Sequence, residues 1–240
     1  DAQEYIRAHA RDENPFFLFL SWGPPHAPYE TAPERYREMY SADDIQLRPN
    51  VPEGMAAQAR EWLAGYYAHC TALDDCVGDL LQTLEDEGIA DDTIFVFTSD
   101  HGDMLGSQGQ TKKQCPWDES IRVPFLLRYP RRFGRIGRQH PGLLDTVDLM
   151  PTLLSLCGLP IPWSVQGLDF APYLESGEDP SGGAALLQCI HPFGQFASVD
   201  GGRAYRGLRT RPYTYVRPLD GPWLLYDNEP DTYHMTHLDV

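Results

Sequence analysis

Hydrophobic residues occur along the chain in three short continuous runs and one long helical repeat. The runs cover residues 14–22, 93–98 and 123–129. Each is bounded by glycine, proline or polar turn residues, which is typical of strands buried on both faces. From about residue 52 to residue 87 the apolar positions keep helical spacing, and Gly88 follows where a helix C-terminus favours glycine. The order strand, long helix, strand predicts a parallel sheet covered by helices.

The hydrophobic pattern changes in the last third of the chain. Shorter helices are predicted over residues 31–41 and 145–157, and a stretch rich in Gly, Pro and Glu follows at 175–183. Beyond it, short segments joined by tight turns predict a small antiparallel sheet with strands at 184–190, 205–209, 213–217 and 223–226. We therefore expect an α/β fold with a core domain over 1–175 and an antiparallel C-terminal subdomain over 184–240.

Composition narrows the function classes. The chain has 240 residues and a formal net charge of −16, so it repels the phosphate backbone and nucleic acid is not expected as a partner. Its longest apolar runs are far shorter than the roughly 20 residues that span a bilayer, so no membrane span is predicted. Five scattered cysteines without C-x-x-C spacing argue against a disulfide framework and a zinc site, and they favour a reducing, cytoplasmic compartment. Composition leaves the oligomeric state undetermined.

Two polar residues directly follow the second predicted strand. Ligands of open parallel sheets bind beyond the carboxyl ends of the strands, where Asp100 and His101 lie. A carboxylate oxygen and an imidazole nitrogen suit a divalent cation, although two ligands do not complete a site. The alternative is that Asp100 caps the next turn and His101 is bonded by the backbone, and spacing alone leaves both interpretations open.

Two loops carry further candidates. His26 stands among prolines in a stiff loop that would fix its direction, as suits a general acid or an oxyanion donor, or it is an ordinary surface histidine. Lys112 and Lys113 are the only lysines and lie side by side in one loop. Lys113 would provide a compact positive charge for a tetrahedral anion, unless it is simply solvated.

In combination, these segments resemble the type I sulfatase family. The resemblance runs in order along almost the whole chain and includes a Pro-His-x-Pro segment, a metal-binding strand end and a lysine loop. The matching segments are Ser21–Tyr29, Thr98–Gly106, Lys113–Pro124, Thr146–Leu154 and Leu224–Asp227.

The resemblance implies a fold, a reaction and roles for individual residues. The fold is the alkaline-phosphatase-like α/β sandwich, with a mixed sheet covered by helices and a small C-terminal sheet. Asp100 and His101 would bind Ca²⁺, while His26 and Lys113 would contact the sulfate group, with His26 as candidate proton donor to the leaving oxygen. Lys112 is the competing lysine. The expected substrate is a small-molecule or glycan sulfate ester.

The sequence departs from the family at the nucleophile. Sulfatases use a formylglycine made from the Cys or Ser of a C/S-x-P-x-R motif, and none of the five cysteines has that context; Cys115 is followed directly by Pro116. We therefore expect a C-terminal portion of a sulfatase, inactive by itself, whose formylglycine and remaining metal ligands lie upstream.

Two other functions stay open at this point. One is a phosphodiesterase or phosphonate monoester hydrolase of the same superfamily, for which Mn²⁺ is an alternative metal. The other is a non-catalytic calcium- or anion-binding remnant. The leaving group would be recognised by loops 131–141 and 191–203, with His191 and Arg203 as candidates for the pocket mouth.

Overall fold

The computed structural model describes residues 1–238, apart from the side chains of residues 195 and 200. The helices are α1 (Ala2–His9), α2 (Glu34–Arg37), α3 (Ala56–Asp86), α4 (Asp118–Ile121), α5 (Pro130–Phe133), α6 (Leu149–Leu156) and α7 (Ala171–Ser176). The strands are β1 (Phe95–Thr98), β2 (Phe125–Arg128), β3 (Ala184–Cys189), β4 (Tyr205–Thr210), β5 (Tyr213–Arg217) and β6 (Leu224–Asp227). Both element types are present, as the predicted α/β class requires.

Internal contacts divide the chain into two compact units, each described by itself. Unit 1 comprises Asp1–Val96, Leu105–Gln110 and Leu126–Arg135. Unit 2 comprises Phe97–Met104, Thr111–Phe125 and Ile136–Val240. The predicted boundary between 1–175 and 184–240 concerns folding domains and stays a prediction; residues 239 and 240 of that subdomain lie outside the described part of the chain.

Helix α3 organises unit 1, and it forms where the apolar spacing predicted it. Ala59 and Ala68 on its inner face are fully buried, and such small side chains let neighbouring backbone approach closely. The helix ends as the sequence indicated, because Gly88 adopts a left-handed φ of +72°. Its N–H bonds the Glu85 carbonyl at 3.0 Å, and the next N–H bonds the Leu84 carbonyl at 3.0 Å, which satisfies the last carbonyls of the helix.

The segment 14–22 differs from its prediction as a buried strand. Phe16, Leu18 and Trp22 pack into a cluster with α1 and α3, whereas Phe17 and Phe19 are 82% and 80% exposed. Side chains therefore alternate between a packed face and a bare face, but the backbone forms no strand. The physical reason is that a strand requires a hydrogen-bonded neighbour, and no described strand pairs with this segment.

The other predicted strands and helices of residues 31–157 form completely or in part. Strands at 93–98 and 123–129 are confirmed as β1 and β2, which form a two-stranded sheet. The helix predicted over 31–41 is limited to the single turn α2. The helix predicted over 145–157 forms as a 3₁₀ turn at 146–148 followed by α6. Among the described helices, none has both the length and the apolar character to cross a bilayer.

The predicted antiparallel sheet is confirmed in unit 2, with strand order β3-β4-β5-β6. Its register pairs Leu208 with Tyr215 and Thr214 with Tyr226. One face of the sheet packs against Met104, Cys115 and Trp117, and together they form the main hydrophobic cluster of this unit. The buried members are Met104, Cys115, Trp117, Phe196, Tyr205, Val216, Leu224 and Tyr226. The sheet therefore supports the loop that carries the two lysines.

Candidate functional site

His26 lies in an exposed turn of unit 1. Its backbone N–H donates to the Gly23 carbonyl at 3.1 Å, and its ring Nδ1 lies 2.8 Å from the Ala27 carbonyl oxygen. Because a carbonyl only accepts, Nδ1 carries the proton of this bond, and a proton transfer by this ring would use Nε2. The turn thus fixes both the tautomer and the direction of the imidazole.

The chain after His26 is anchored on α3. The Pro28 carbonyl accepts a hydrogen bond from the Thr31 hydroxyl at 2.7 Å and lies 3.4 Å from Nε2 of buried His69. The carbonyl of buried Tyr29 approaches Gly65 so closely that a Cβ at Gly65 would lie 2.4 Å from the Tyr29 oxygen. Sequence reasoning missed this support, since a glycine inside a helix signals close packing only when the packed partner is known.

Asp100 and His101 converge at the end of β1 in unit 2. The Nε2 atom of His101 lies 3.5 Å from Oδ2 of Asp100, whose side chain is 86% exposed. His101 Nδ1 donates to the Gly102 carbonyl at 2.7 Å, which leaves the Nε2 lone pair on the side of the carboxylate. The His101 N–H also donates to Asp100 Oδ1 at 3.0 Å. Asp100 therefore caps the turn and also presents an oxygen beside an imidazole nitrogen, and the metal-binding role of the pair stays a prediction.

A close backbone contact holds this turn in place. The Gly102 N–H donates to the Ser120 carbonyl at 2.8 Å, and a Cβ at Gly102 would lie only 1.9 Å from the Glu119 carbonyl oxygen. Only glycine fits there, so the turn rests directly on the backbone of α4.

The donor pair fits a divalent cation but does not complete its coordination. Oxygen and imidazole nitrogen are suitable ligands, and a hard cation such as Ca²⁺ takes about six to eight. Across residues 1–238 no cluster of three or more His, Cys, Asp or Glu side chains could hold a metal ion. Asp100 and His101 can thus supply two positions of such a site.

Lys113 lies between two residues with left-handed backbone. Lys112 has a φ of +65° and Gln114 a φ of +77°. The Lys112 N–H donates to Oδ1 of Asp103 at 3.1 Å, and the Lys112 carbonyl accepts from the Met104 N–H at 2.7 Å. These bonds bring the Asp100–Met104 segment and the lysine loop together within unit 2.

Strand β4 of the C-terminal sheet and the connection between β3 and β4 also bond to the lysine loop. The Tyr205 hydroxyl donates to the Gln114 carbonyl at 3.0 Å, and the Phe193 N–H donates to Gln114 Oε1 at 3.1 Å. The side-chain nitrogen of Gln114 is buried and has no hydrogen-bond partner among the described side chains and backbone. Sequence reasoning identified neither Tyr205 nor Gln114, because nothing in their local sequence indicates these contacts.

The structure also describes the environments of the other residues that the sequence singled out in unit 2. Burial raises the pKa of the Cys115 thiol to about 12, so it stays protonated at neutral pH and is no nucleophile. The indole N–H of Trp117 points to the Tyr226 hydroxyl at 3.4 Å inside the core. Arg203 stacks over the Trp223 ring at 5.2 Å. His191 is exposed, and its role at a pocket mouth, like that of Arg203, stays a prediction.

Comparisons with known proteins converge on one family. The model of the sulfatase family matches residues 1–159, and that of the N-sulphoglucosamine sulphohydrolase C-terminal region matches residues 106–239. An ulvan-active sulfatase of Formosa agariphila is 38% identical over 241 residues, covering 99% of this chain and 46% of that protein.

Solved structures share the fold. A Bacteroides fragilis protein provisionally assigned as a sulfatase superposes with a TM-score of 0.86 at 31% identity, covering 98% of this chain and 52% of that one. The phosphonate monoester hydrolase of Agrobacterium radiobacter gives a TM-score of 0.82 at 26% identity, covering 98% and 55%. The chain spans about half the length of the curated relatives it matches.

Proposed function

This chain belongs to the sulfatase family, with its alkaline-phosphatase-like α/β fold, and from that premise we propose that it forms part of a hydrolase that cleaves sulfate esters. The observation that carries the proposal is the joining of Asp100, His101 and Lys113 within unit 2. The Lys112 N–H donates to Asp103 and the Met104 N–H donates to the Lys112 carbonyl, which connects the segment after the cation-ligand candidates with the lysine loop. Two cation ligands and an ammonium group together suit an anionic ester oxygen.

Each residue has a chemical role in this proposal. Asp100 and His101 would hold a divalent cation, with calcium as the first choice, and the cation would neutralise charge on the sulfate oxygens. The Lys113 ammonium would bind the sulfate as a point charge. The His26 imidazolium would donate its Nε2 proton to the alcohol oxygen as the sulfur–oxygen bond breaks, since its Nδ1 proton is bonded to the Ala27 carbonyl.

The nucleophile is assigned outside these 240 residues. No Cys or Ser here lies in a C/S-x-P-x-R context, and Cys115 stays protonated in the core. The proposal therefore takes the family's formylglycine, together with the further ligands that a hard cation needs, from sequence beyond this chain.

The proposed substrate is a sulfate ester carried by a saccharide. The supporting observation is the 38% identity to a sulfatase that is active on ulvan, a polysaccharide. Phosphonate monoester hydrolysis, with Mn²⁺ as the alternative metal, is the second candidate because a phosphonate monoester hydrolase has the same fold at 26% identity. The higher identity of the sulfatase relative favours sulfate.

The test compares two leaving-group-matched esters with the protein that contains this chain. We expect p-nitrophenyl sulfate to be hydrolysed with a higher kcat/KM than p-nitrophenyl phenylphosphonate. The opposite preference would select the phosphonate hydrolase. Calcium-dependent stabilisation without turnover of either ester would instead identify a binding remnant.

A further inference from the structure

Three unfavourable features converge beside Lys113. Lys112 and Gln114 both adopt the left-handed backbone region, at φ values of +65° and +77°, which lysine and glutamine rarely occupy. The Gln114 side-chain nitrogen is in addition buried without a partner in the described part of the molecule. Such features persist only when the surrounding structure holds them, and they concentrate at functional sites.

Two hydrogen bonds from distant residues to Gln114 can hold its left-handed backbone. Tyr205 is 5% exposed, and its hydroxyl donates to the Gln114 carbonyl at 3.0 Å across 91 residues of sequence. The Phe193 N–H fixes the Gln114 side chain at 3.1 Å from the same side of the loop. Burial raises the pKa of the Tyr205 phenol well above its ordinary value, so the hydroxyl keeps its proton at any working pH.

Ordinary core packing explains the ring of Tyr205 but not the placement of its hydroxyl. The ring packs in the hydrophobic cluster with Cys115 and Trp223, and a phenylalanine would fill the same space. The hydroxyl instead reaches the carbonyl of the residue that follows Lys113. Its bond fixes the peptide between Gln114 and Cys115, and with it the backbone of the residue next to Lys113.

We propose that Tyr205 and Gln114 are positioning residues that direct Lys113 toward the sulfate group by holding the left-handed backbone on its C-terminal side. This inference rests on the proposed function, because it takes Lys113 as the lysine that binds the anion. It assigns to the C-terminal antiparallel sheet a part in the reaction, through Tyr205 at the start of β4.

The first experiment removes one hydroxyl and leaves the packing in place. In the protein that contains this chain, Tyr205→Phe is expected to lower kcat/KM for p-nitrophenyl sulfate about tenfold. Tyr173→Phe is the matched control, because Tyr173 is also 5% exposed and its hydroxyl accepts from the Gly142 N–H at 2.7 Å, away from the lysine loop. We expect the control to lower the melting temperature by a similar amount and to leave kcat/KM unchanged. Equal kinetic effects of the two variants would overturn the positioning role.

The second experiment tests the backbone itself and does not depend on the folding of Tyr205→Phe. Gln114→Gly and Gln114→Ala both delete the side-chain amide, but only glycine adopts a φ near +77° without strain. We expect the glycine variant to retain more turnover than the alanine variant. We also expect Gln114→Gly to reduce the kinetic effect of Tyr205→Phe in the double variant. Equal turnover of the Gly and Ala variants would contradict the proposal.

The variant Lys113→Ala distinguishes a failure of the positioning role from a failure of the proposed function. If Lys113→Ala abolishes turnover of p-nitrophenyl sulfate while Tyr205→Phe and the Gln114 pair have no effect, the function stands and the positioning role is wrong. If Lys113→Ala keeps full turnover, the assignment of Lys113 fails and the positioning role fails with it.

Discussion

The His26 loop of unit 1 and the lysine loop of unit 2 are both irregular backbone, yet they are held in different ways. Prolines surround His26, and the following residues rest on α3 at Gly65. The lysine loop contains no such stiff local sequence before Pro116. Its left-handed residues are held by the bond from the Lys112 N–H to Asp103, nine residues away, and by the bond from the Tyr205 hydroxyl to Gln114, 91 residues away. The first loop is rigid mainly through its composition, and the second mainly through tertiary contacts.

This difference predicts how the function responds to substitutions in and around each loop. A loop stiffened by prolines has few conformations to lose, so single hydrogen bonds add little to its order. A loop with left-handed lysine and glutamine depends on each bond that holds it. Substitutions around the lysine loop should therefore disturb function more than equivalent substitutions around His26.

The largest effect is expected at the lysines themselves. Removing the ammonium with Lys113→Ala should lower kcat/KM by roughly 10²- to 10³-fold, the usual range for one preorganised electrostatic contact. Lys112→Gly should keep most of the activity, because glycine tolerates the φ of +65° and preserves the backbone bonds of Lys112. Steady-state kinetics on p-nitrophenyl sulfate measures both. The reverse order of the two variants would move the anion-binding role to Lys112.

The next largest effect is expected at two glycines that lie against the backbone of another segment. Gly102→Ala and Gly65→Ala each force a Cβ against a backbone oxygen, at 1.9 Å from Glu119 and 2.4 Å from Tyr29 respectively. Each should cost about 2 kcal/mol in the free energy of unfolding, with Gly102→Ala the larger. Gly78→Ala in the same helix as Gly65 is the control, since its Cβ would meet nothing within 4 Å.

Denaturant unfolding measures these three variants. Gly78→Ala should raise the free energy of unfolding by about 0.5–1 kcal/mol, because alanine favours helix. A loss at Gly78 equal to that at Gly65 would show that helix α3 rejects any added side chain, and the close contact with Tyr29 would then have no special role.

An intermediate effect is expected from the metal ion. In the protein that contains this chain, calcium should raise the melting temperature, and Asp100→Ala should remove most of that rise. The exposed Asp220→Ala is the control for loss of one negative charge and should retain it. Thermal melting with and without calcium measures the difference. Identical calcium shifts in all three proteins would remove Asp100 from the metal site.

The smallest effect is expected in the sheet core that supports the lysine loop. Burial lowers the pKa of His234, which stacks on Tyr226 with ring centroids 4.6 Å apart. Because the folded state favours the neutral ring, the unfolded state binds more protons below the ordinary histidine pKa. Stability is therefore present above about pH 6.5 and is lost as pH falls toward the lowered pKa.

His234→Phe removes the titrating group and keeps an aromatic ring on Tyr226. We expect its melting temperature to vary less between pH 7 and pH 5 than that of the parent protein. The Asn228 oxygen that faces His234 keeps its 2.9 Å bond from the Thr214 hydroxyl in this variant. An unchanged dependence on pH would assign the acid sensitivity to other groups.

Several elements could be predicted because their signals are local. The helical spacing and Gly88 predict α3, short segments joined by tight turns predict β3 to β6, and apolar runs predict β1 and β2. The family resemblance also rests on short segments, and the match of the sulfatase family model to residues 1–159 confirms it. The roles of His26, Asp100, His101 and Lys113 stay predictions. The structure adds that Asp100, His101 and Lys113 all belong to unit 2.

Residue type and spacing over a few turns were enough to predict the class of fold and the candidate residues, and the resemblance of short segments indicated the family. Tertiary structure alone decided that segment 14–22 leaves one apolar face bare, that Gly102 rests on α4, and that Tyr205 reaches Gln114. The physical reason is that lysine and glutamine do not favour left-handed backbone, so their local sequence predicts other conformations. Hydrogen bonds with residues outside the loop, such as that from Tyr205, stabilise the left-handed backbone on both sides of Lys113.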